Sequence, residues 1–223
     1  MTRAVFRERL RARADRAQIE IADVVADALD AYFRLLAKWN GTINLTALPL
    51  EPPTDDALDR LFIEPLAAAH YIKNALTHVP LPVWFDLGSG GGSPAVPLKI
   101  VQPQMRLSMV ESRSRKAAFL SEVARTLGLS DTNVVNSRFE ELTVPDAAVD
   151  LITVRAVRGD ALLTESALRL LNDKGVLAVF GVPPRANGEW DAIRTVQLLP
   201  DAESSQLSVI CRVPRGTKPL TAI

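Results

Sequence analysis

Residues 83–94 read VWFDLGSGGGSP. A short apolar run ends in Asp86, glycines follow at 88, 90, 91 and 92, and Pro94 suits the first turn of a helix. A glycine loop between a strand and a helix lets a ligand approach the backbone, and the helix start offers free N–H groups. Two phosphate-binding readings of this loop fail. A dinucleotide fingerprint needs glycine at its first, third and sixth positions, and counting from Gly88 the sixth is Ser93. A phosphate loop of the Walker kind needs a lysine directly after its glycines, and Lys99 is too far along.

Downstream of this loop, strand candidates alternate with helix candidates. LSMVE (107–111), NVVN (133–136), DLITV (150–154) and GVLAVFG (175–181) read as strands. Helices are expected over 94–102, 113–127 (Ser112 as cap, Gly128 as stop) and 159–172. That alternation predicts a parallel sheet with helices on both faces. TVQLL (195–199) and QLSVICRV (206–213) then read as an antiparallel C-terminal hairpin. Upstream, apolar residues from Ile19 to Leu36 recur at helical spacing, predicting a helix over 17–37 with Gly41 as its stop. A Pro-rich acidic loop (49–56) precedes a second helix, 56–77, which Pro65 should kink or split. Pro80 and Pro82 mark the boundary between an N-terminal helical extension, 1–80, and an α/β domain, 81–223.

Composition narrows the function. The 223 residues carry 26 Lys+Arg against 26 Asp+Glu and are 48% hydrophobic, which is ordinary for a folded domain. One cysteine and two histidines exclude a disulfide framework and a Cys/His zinc centre, so no metal is expected. Cys211 reads as a small buried hydrophobe, and His70 and His78 as helix-surface residues. No stretch is long and apolar enough to span a bilayer, and no secretory signal is recognisable, so a cytoplasmic protein without a membrane partner is expected. Zero net charge argues against coating nucleic acid by bulk electrostatics, although it permits a local patch. Six arginines in the first 16 residues oppose only Glu8 and Asp15. They read either as an arm that meets phosphate or as the solvated face of a helix; the acids and the lack of serine weaken an organellar presequence.

Asp86, Gly88, Gly90 and Gly92 fit acid-x-Gly-x-Gly-x-Gly, which resembles the first motif of the class I S-adenosylmethionine-dependent methyltransferases. That cofactor has a sulfonium, an ammonium and a carboxylate to be held, and no phosphate. An acid at the strand end suits the cationic portion, and backbone amides suit the carboxylate. Glu111 closes the next strand, where a carboxylate can accept hydrogen bonds from both ribose hydroxyls. An NAD site would use the same acid, so Glu111 points to a nucleoside without choosing between the two.

KWNGTINLTAL (38–48), DLGSGGGSPAVPLKIVQP (86–103), ESRSRKAAFL (111–120), NSRFEEL (136–142) and VRA (154–156) occur in this order. Together they resemble the bacterial glucose-inhibited division B family over residues 20–181. The resemblance implies a Rossmann-like class I methyltransferase fold and S-adenosyl-L-methionine as cofactor. It also implies methylation of N7 of a guanine in small-subunit (16S) ribosomal RNA by a monomer whose partner is that RNA or the small ribosomal subunit. Gly88 and Ser93 match the family's loop contacts to the cofactor, Phe139 and Glu140 the pair beside the adenine, and Arg155 the site arginine. Arg155 suits either the cofactor carboxylate or an RNA phosphate. Guanine N7 carries an in-plane lone pair, so attack needs positioning and no general base. An N6-adenine enzyme would show an Asn/Asp-Pro-Pro-aromatic motif where this chain reads VRAV, and a cytosine-C5 enzyme needs a nucleophilic cysteine near the site.

The chain departs from the family on the substrate side. The usual Arg-His-Ile-x-Asp-Ser reads RLFIEP, keeping Arg60 but placing Leu61, Glu64 and Pro65 where His, Asp and Ser are usual. Pro-Gly after the third glycine reads Pro94-Ala95, the serine before Arg155 is Val154, and the usual Lys-Gly after the fifth strand is Phe180-Gly181. Arg60, Glu64 and Arg155 remain as residues to handle the substrate. Three readings stay open: the family's RNA reaction, a divergent methyltransferase for a small molecule or other acceptor, and a non-catalytic cofactor-binding descendant.

Overall fold

A computed structural model of the chain describes residues 1–156, 161–183 and 190–212. Seven strands form one sheet: β1 (Val83–Leu87), β2 (Arg106–Val110), β3 (Thr132–Val135), β4 (Val149–Arg155), β5 (Leu171–Phe180), β6 (Trp190–Gln197) and β7 (Gln206–Arg212). Their order is β3-β2-β1-β4-β5-β7-β6. β1 to β5 pair in parallel, while β7 runs antiparallel between β5 and β6. This is the expected α/β sheet with its C-terminal hairpin.

Period-two alternation sends Trp84 of β1 to one face and Phe85 to the other, each into its own apolar core. The first core also takes helices α1 (Arg3–Arg16), α2 (Asp23–Ile43), α3 (Asp55–Leu58), α4 (Glu64–Ala75), α5 (Ala95–Val101) and α6 (Ser114–Thr126). The second takes α7 (Ala161–Leu170). The strand order reverses between β1 and β4, so the crevice of an open α/β sheet falls at their carboxyl ends.

Several helix limits differ from the sequence expectation. Gly41 does not stop the first long helix; α2 runs on to Ile43 and ends at Asn44, whose φ is 50°. The Asn40 carboxamide oxygen accepts from Leu45 and Thr46 N–H, turning the chain sharply there. Ser112 does not cap α6; the Glu111 carboxylate takes the Arg113 N–H instead. Pro94 sits just before the first helical residue, Ala95. Pro65 does divide its helix, and a π-turn over Asp59–Ile63 separates α3 from α4. The start of the helix expected over 159–172 falls outside the described residues.

The arginine-rich segment is α1, with Phe6, Leu10 and Ala14 buried along one stripe. Phe6 stacks on Phe33 with ring centroids 4.7 Å apart. All six arginines pair with acids: Arg3, Arg7 and Arg11 with Asp23, Asp27 or Asp30, Arg9 with Asp55, Arg13 with Asp55 and Asp59, and Arg16 with Asp201. This charge-rich face is therefore matched within the fold, which removes the reading of a free arm for phosphate.

Candidate active site

The glycine loop leaves the end of β1 and is held from several sides. The N–H groups of Gly88 and Ser89 both donate to Val110 C=O, tying the loop to the end of β2. Glu111 accepts from Gly90 N–H at 2.9 Å and from Arg113 N–H at 2.8 Å. Each of its oxygens keeps a further lone-pair direction for a ligand. The Tyr32 hydroxyl, fully buried on α2, donates to Gly91 C=O at 2.5 Å. Burial, and then the nearby Asp86, push its ionisation well above the ordinary tyrosine range, so it stays a donor.

A cleft of about 510 Å³ opens between this loop and the segment that Asn40 folds over it. Gly88, Gly90, Ser93, Glu111, Arg60 and Arg155 line it, so six of the residues expected from sequence come together. Leu45, Thr46 and Leu48 form the opposite wall, and Arg113 and Lys116 also line the cleft. These five were not singled out as site residues, although they lie in the NLT and SRSRK blocks that carried the resemblance.

Asp86, Gly92, Phe139 and Glu140 are not among the lining residues. Asp86 is 1% exposed and accepts from the Thr153 hydroxyl at 2.5 Å, beneath the loop. Gly92 is packed under Tyr32 and Leu120. Phe139 and Glu140 begin a 3₁₀ turn after β3, with Glu140 paired to Arg138. Burial raises the Asp86 carboxyl to about 6, against the pull of the Thr153 hydrogen bond. A folded value above the unfolded value of 3.8 means the charged form opposes folding. The ligand-free fold should therefore gain stability as pH falls through about 6 toward 3.8. Asp86→Asn keeps an acceptor for Thr153 and should remove that dependence. Thermal melts should show the variant gaining most over the parent above about pH 6 and least as pH falls toward 3.8; a difference independent of pH would contradict this.

A second cleft of about 340 Å³ adjoins the first, sharing Arg60, Arg155 and Ala156. Glu64, Val154, Val179 and Phe180 complete its inner wall. Arg155, the last residue of β4, stands between the two. Its Nη1 donates to Arg60 C=O at 2.6 Å and lies 2.8 Å from Glu64 Oε2. Its guanidinium rests 4.6 Å from the Phe180 ring centroid. Nε and Nη2 are buried with no hydrogen-bond partner among the described residues. Burial lowers the Arg155 pKa from the usual guanidinium value while Glu64 opposes the change.

The departures from the family pattern thus have a structural counterpart. Phe180, at the position of the usual lysine, supplies a ring beneath Arg155. Glu64, at the position of the usual aspartate, supplies its carboxylate partner. Two adjoining clefts at a switch point, one beside a glycine loop and the other beside a braced arginine, suit transfer of a group from a bound nucleoside to a second molecule.

The sequence profile for rRNA small subunit methyltransferase G, named GidB, matches residues 26–197. The ribosomal RNA small subunit methyltransferase G of Neisseria meningitidis serogroup C is 35% identical over 188 residues, 84% of each chain. The protein of that name from Helicobacter acinonychis is 38% identical over 156 residues, 68% of this chain and 79% of its own length. A solved Methanococcus maripaludis structure, described as a candidate S-adenosyl-L-methionine-dependent methyltransferase, shares the fold. Its TM-score is 0.55 at 13% identity, over 83% of this chain and 93% of that one. The profile spans the glycine loop, the first cleft and Arg155, and the Neisseria relative aligns over most of the chain, so this chain belongs to the rRNA small subunit methyltransferase G family.

Proposed function

We propose that this chain transfers the methyl group of S-adenosyl-L-methionine to N7 of a guanine in small-subunit ribosomal RNA. The observation that carries an RNA acceptor is the placement of uncompensated charge. Arg60, Arg113 and Lys116 line the first cleft and have no ion pair among the described residues, as does their neighbour Arg115. The α1 arginines, by contrast, are matched by acids. A neutral chain therefore presents local positive charge where a phosphate backbone would lie.

The residues at the first cleft fit the donor. Glu111 can accept from ribose hydroxyls, Leu45, Leu48 and Leu61 offer apolar contact, and Gly90 leaves backbone approach open. Glu111→Ala removes the ribose acceptor and the brace on Gly90 together. It should weaken S-adenosylhomocysteine binding by about 1–3 kcal/mol in calorimetry, and unchanged affinity would contradict the assignment. The adenine end, for which the resemblance offers Phe139 and Glu140, rests on that resemblance alone.

Bound S-adenosyl-L-methionine supplies an electrophilic methyl group. The chain has to hold the base so that the N7 lone pair lies in line with it, and no proton need be removed first. An arginine reading guanine through O6 and N7 together would occupy that lone pair. Arg155 is therefore assigned to O6 or to a phosphate, never to N7. We assign the activity to a monomer acting in the cytoplasm, where small ribosomal subunits are found.

Salt dependence of binding to small-subunit RNA tests the acceptor assignment. Arg113→Gln and Lys116→Gln should each lower the slope of log K against log salt by about one. Arg7→Gln and Arg11→Gln, whose charges are already matched by Asp23 and Asp27, should leave it unchanged. The reverse pattern would move the RNA surface to α1.

A further inference from the structure

We infer that Pro65 is a positioning residue for Arg155, acting through the backbone of the π-turn before it. In an α-helix the C=O of Arg60 would take the N–H of residue 64, and that of Leu61 the N–H of residue 65. Here Glu64 N–H donates to Asp59 C=O, which is π register. The next bond in that register would run from residue 65 to Arg60 C=O, and proline has no N–H to give. With Glu64 N–H spent on Asp59, the proline leaves Arg60 C=O without a donor in the observed register, and it denies Leu61 C=O its α-helical one.

A carbonyl freed from the helix ladder takes other donors, and both of these face the site. Arg60 C=O accepts from Arg155 Nη1 at 2.6 Å, and Leu61 C=O accepts from the Ser93 hydroxyl at 3.0 Å. The turn is thereby tied both to the arginine between the clefts and to the glycine loop. Glu64, the residue before Pro65, adds its carboxylate to the same Nη1. Phe180 closes the guanidinium from its face. Positions 64, 65 and 180 thus converge on the placement of one side chain. A residue with an N–H at 65 would compete with Arg155 for Arg60 C=O or with Ser93 for Leu61 C=O.

The inference rests on methyl transfer as the activity, so its test includes readouts that do not need activity. In Pro65→Ala, the new residue-65 amide should be protected from hydrogen exchange by a bond to the carbonyls now held by Arg155 and Ser93. The NMR signals of the Arg155 guanidinium should report faster rotation. Methyl transfer to small subunits should fall about 10- to 100-fold in kcat. Affinity for S-adenosylhomocysteine should stay within about threefold. Thermal stability should not fall, because alanine suits a helix better than proline does.

A protected amide with kcat within about twofold of the parent would overturn the inference. An unprotected amide would overturn it too, since the proline would then not be what keeps the carbonyls free. So would lost turnover with an unchanged Arg155 signal. If the parent chain itself transfers no methyl group, the functional reading falls, while the amide and guanidinium signals still decide whether Pro65 places Arg155.

Discussion

Gly90→Val is expected to abolish binding of S-adenosyl-L-methionine and its demethylated product while leaving a folded chain. Gly90 has φ +52°, and a Cβ added there would meet nothing closer than Gly88 C=O at 3.7 Å. The protein interior thus does not exclude a side chain at this position. What a valine would fill is the cleft, at a left-handed backbone angle that a β-branched residue resists. The Gly90 N–H would also be pulled away from Glu111, loosening the carboxylate assigned to the ribose. Gly92 makes the contrast. A Cβ there would lie 3.0 Å from Val96 Cγ2 and 3.2 Å from the Tyr32 hydroxyl, so Gly92→Val should cost stability first. Calorimetry with S-adenosylhomocysteine, beside circular dichroism, separates the two. For Gly90→Val the expected result is an affinity loss of at least about 100-fold, near 3 kcal/mol, with a native spectrum. Unchanged affinity would remove the loop from the cofactor site.

Arg155→Lys should retain the charge and lose most of the activity. A lysine can place one ammonium near Glu64, but it cannot hold Arg60 C=O, cover the Phe180 ring and keep donors in a fixed plane at once. The two donors without protein partners, Nε and Nη2, are the ones a substrate oxygen would use, and lysine has no equivalent for them. We expect kcat/KM for small-subunit RNA to fall about 100-fold or more, on the scale of a lost charged, geometrically fixed contact. Retaining the charge keeps this variant interpretable. Arg155→Ala would leave the Glu64 carboxylate buried without its cation, which costs about 3–5 kcal/mol and confounds activity with folding. A lysine variant with the parent's kcat/KM would show that a point charge suffices and that the planar fork has no role.

How far the sequence shows this site depends on the distance over which each feature is determined. Strands could be read because each is a short apolar run, closed in β1, β2 and β5 by an acid or glycine, and the loop after β1 could be read because its glycines are adjacent. Helix ends could not. Gly41 looks like a stop, but Asn40, one residue earlier, delays the turn by capping Leu45 and Thr46. Ser112 looks like a cap, but Glu111 beside it takes the N–H. The charge of the first 16 residues was visible, while its partners at Asp23–Asp30, Asp55, Asp59 and Asp201 meet it only in the fold. Leu61, Pro65 and Phe180 read as lost polar groups when each is compared with a family pattern, and Glu64 as a retained acid. Arg155, which Glu64, Phe180 and the Arg60 carbonyl hold, lies far along the chain, so their joint effect appears only once β4, β5 and the π-turn are assembled.

The central claim is that two adjoining clefts bring a methyl donor and a ribosomal guanine together across Arg155. The most direct test supplies the purified chain with methyl-labelled S-adenosyl-L-methionine and small ribosomal subunits from a strain lacking the corresponding enzyme. The subunit RNA is then digested to nucleosides. The account predicts label in 7-methylguanosine, dependent on Arg155. Label in another nucleoside, or in none while the chain binds the donor, would contradict it.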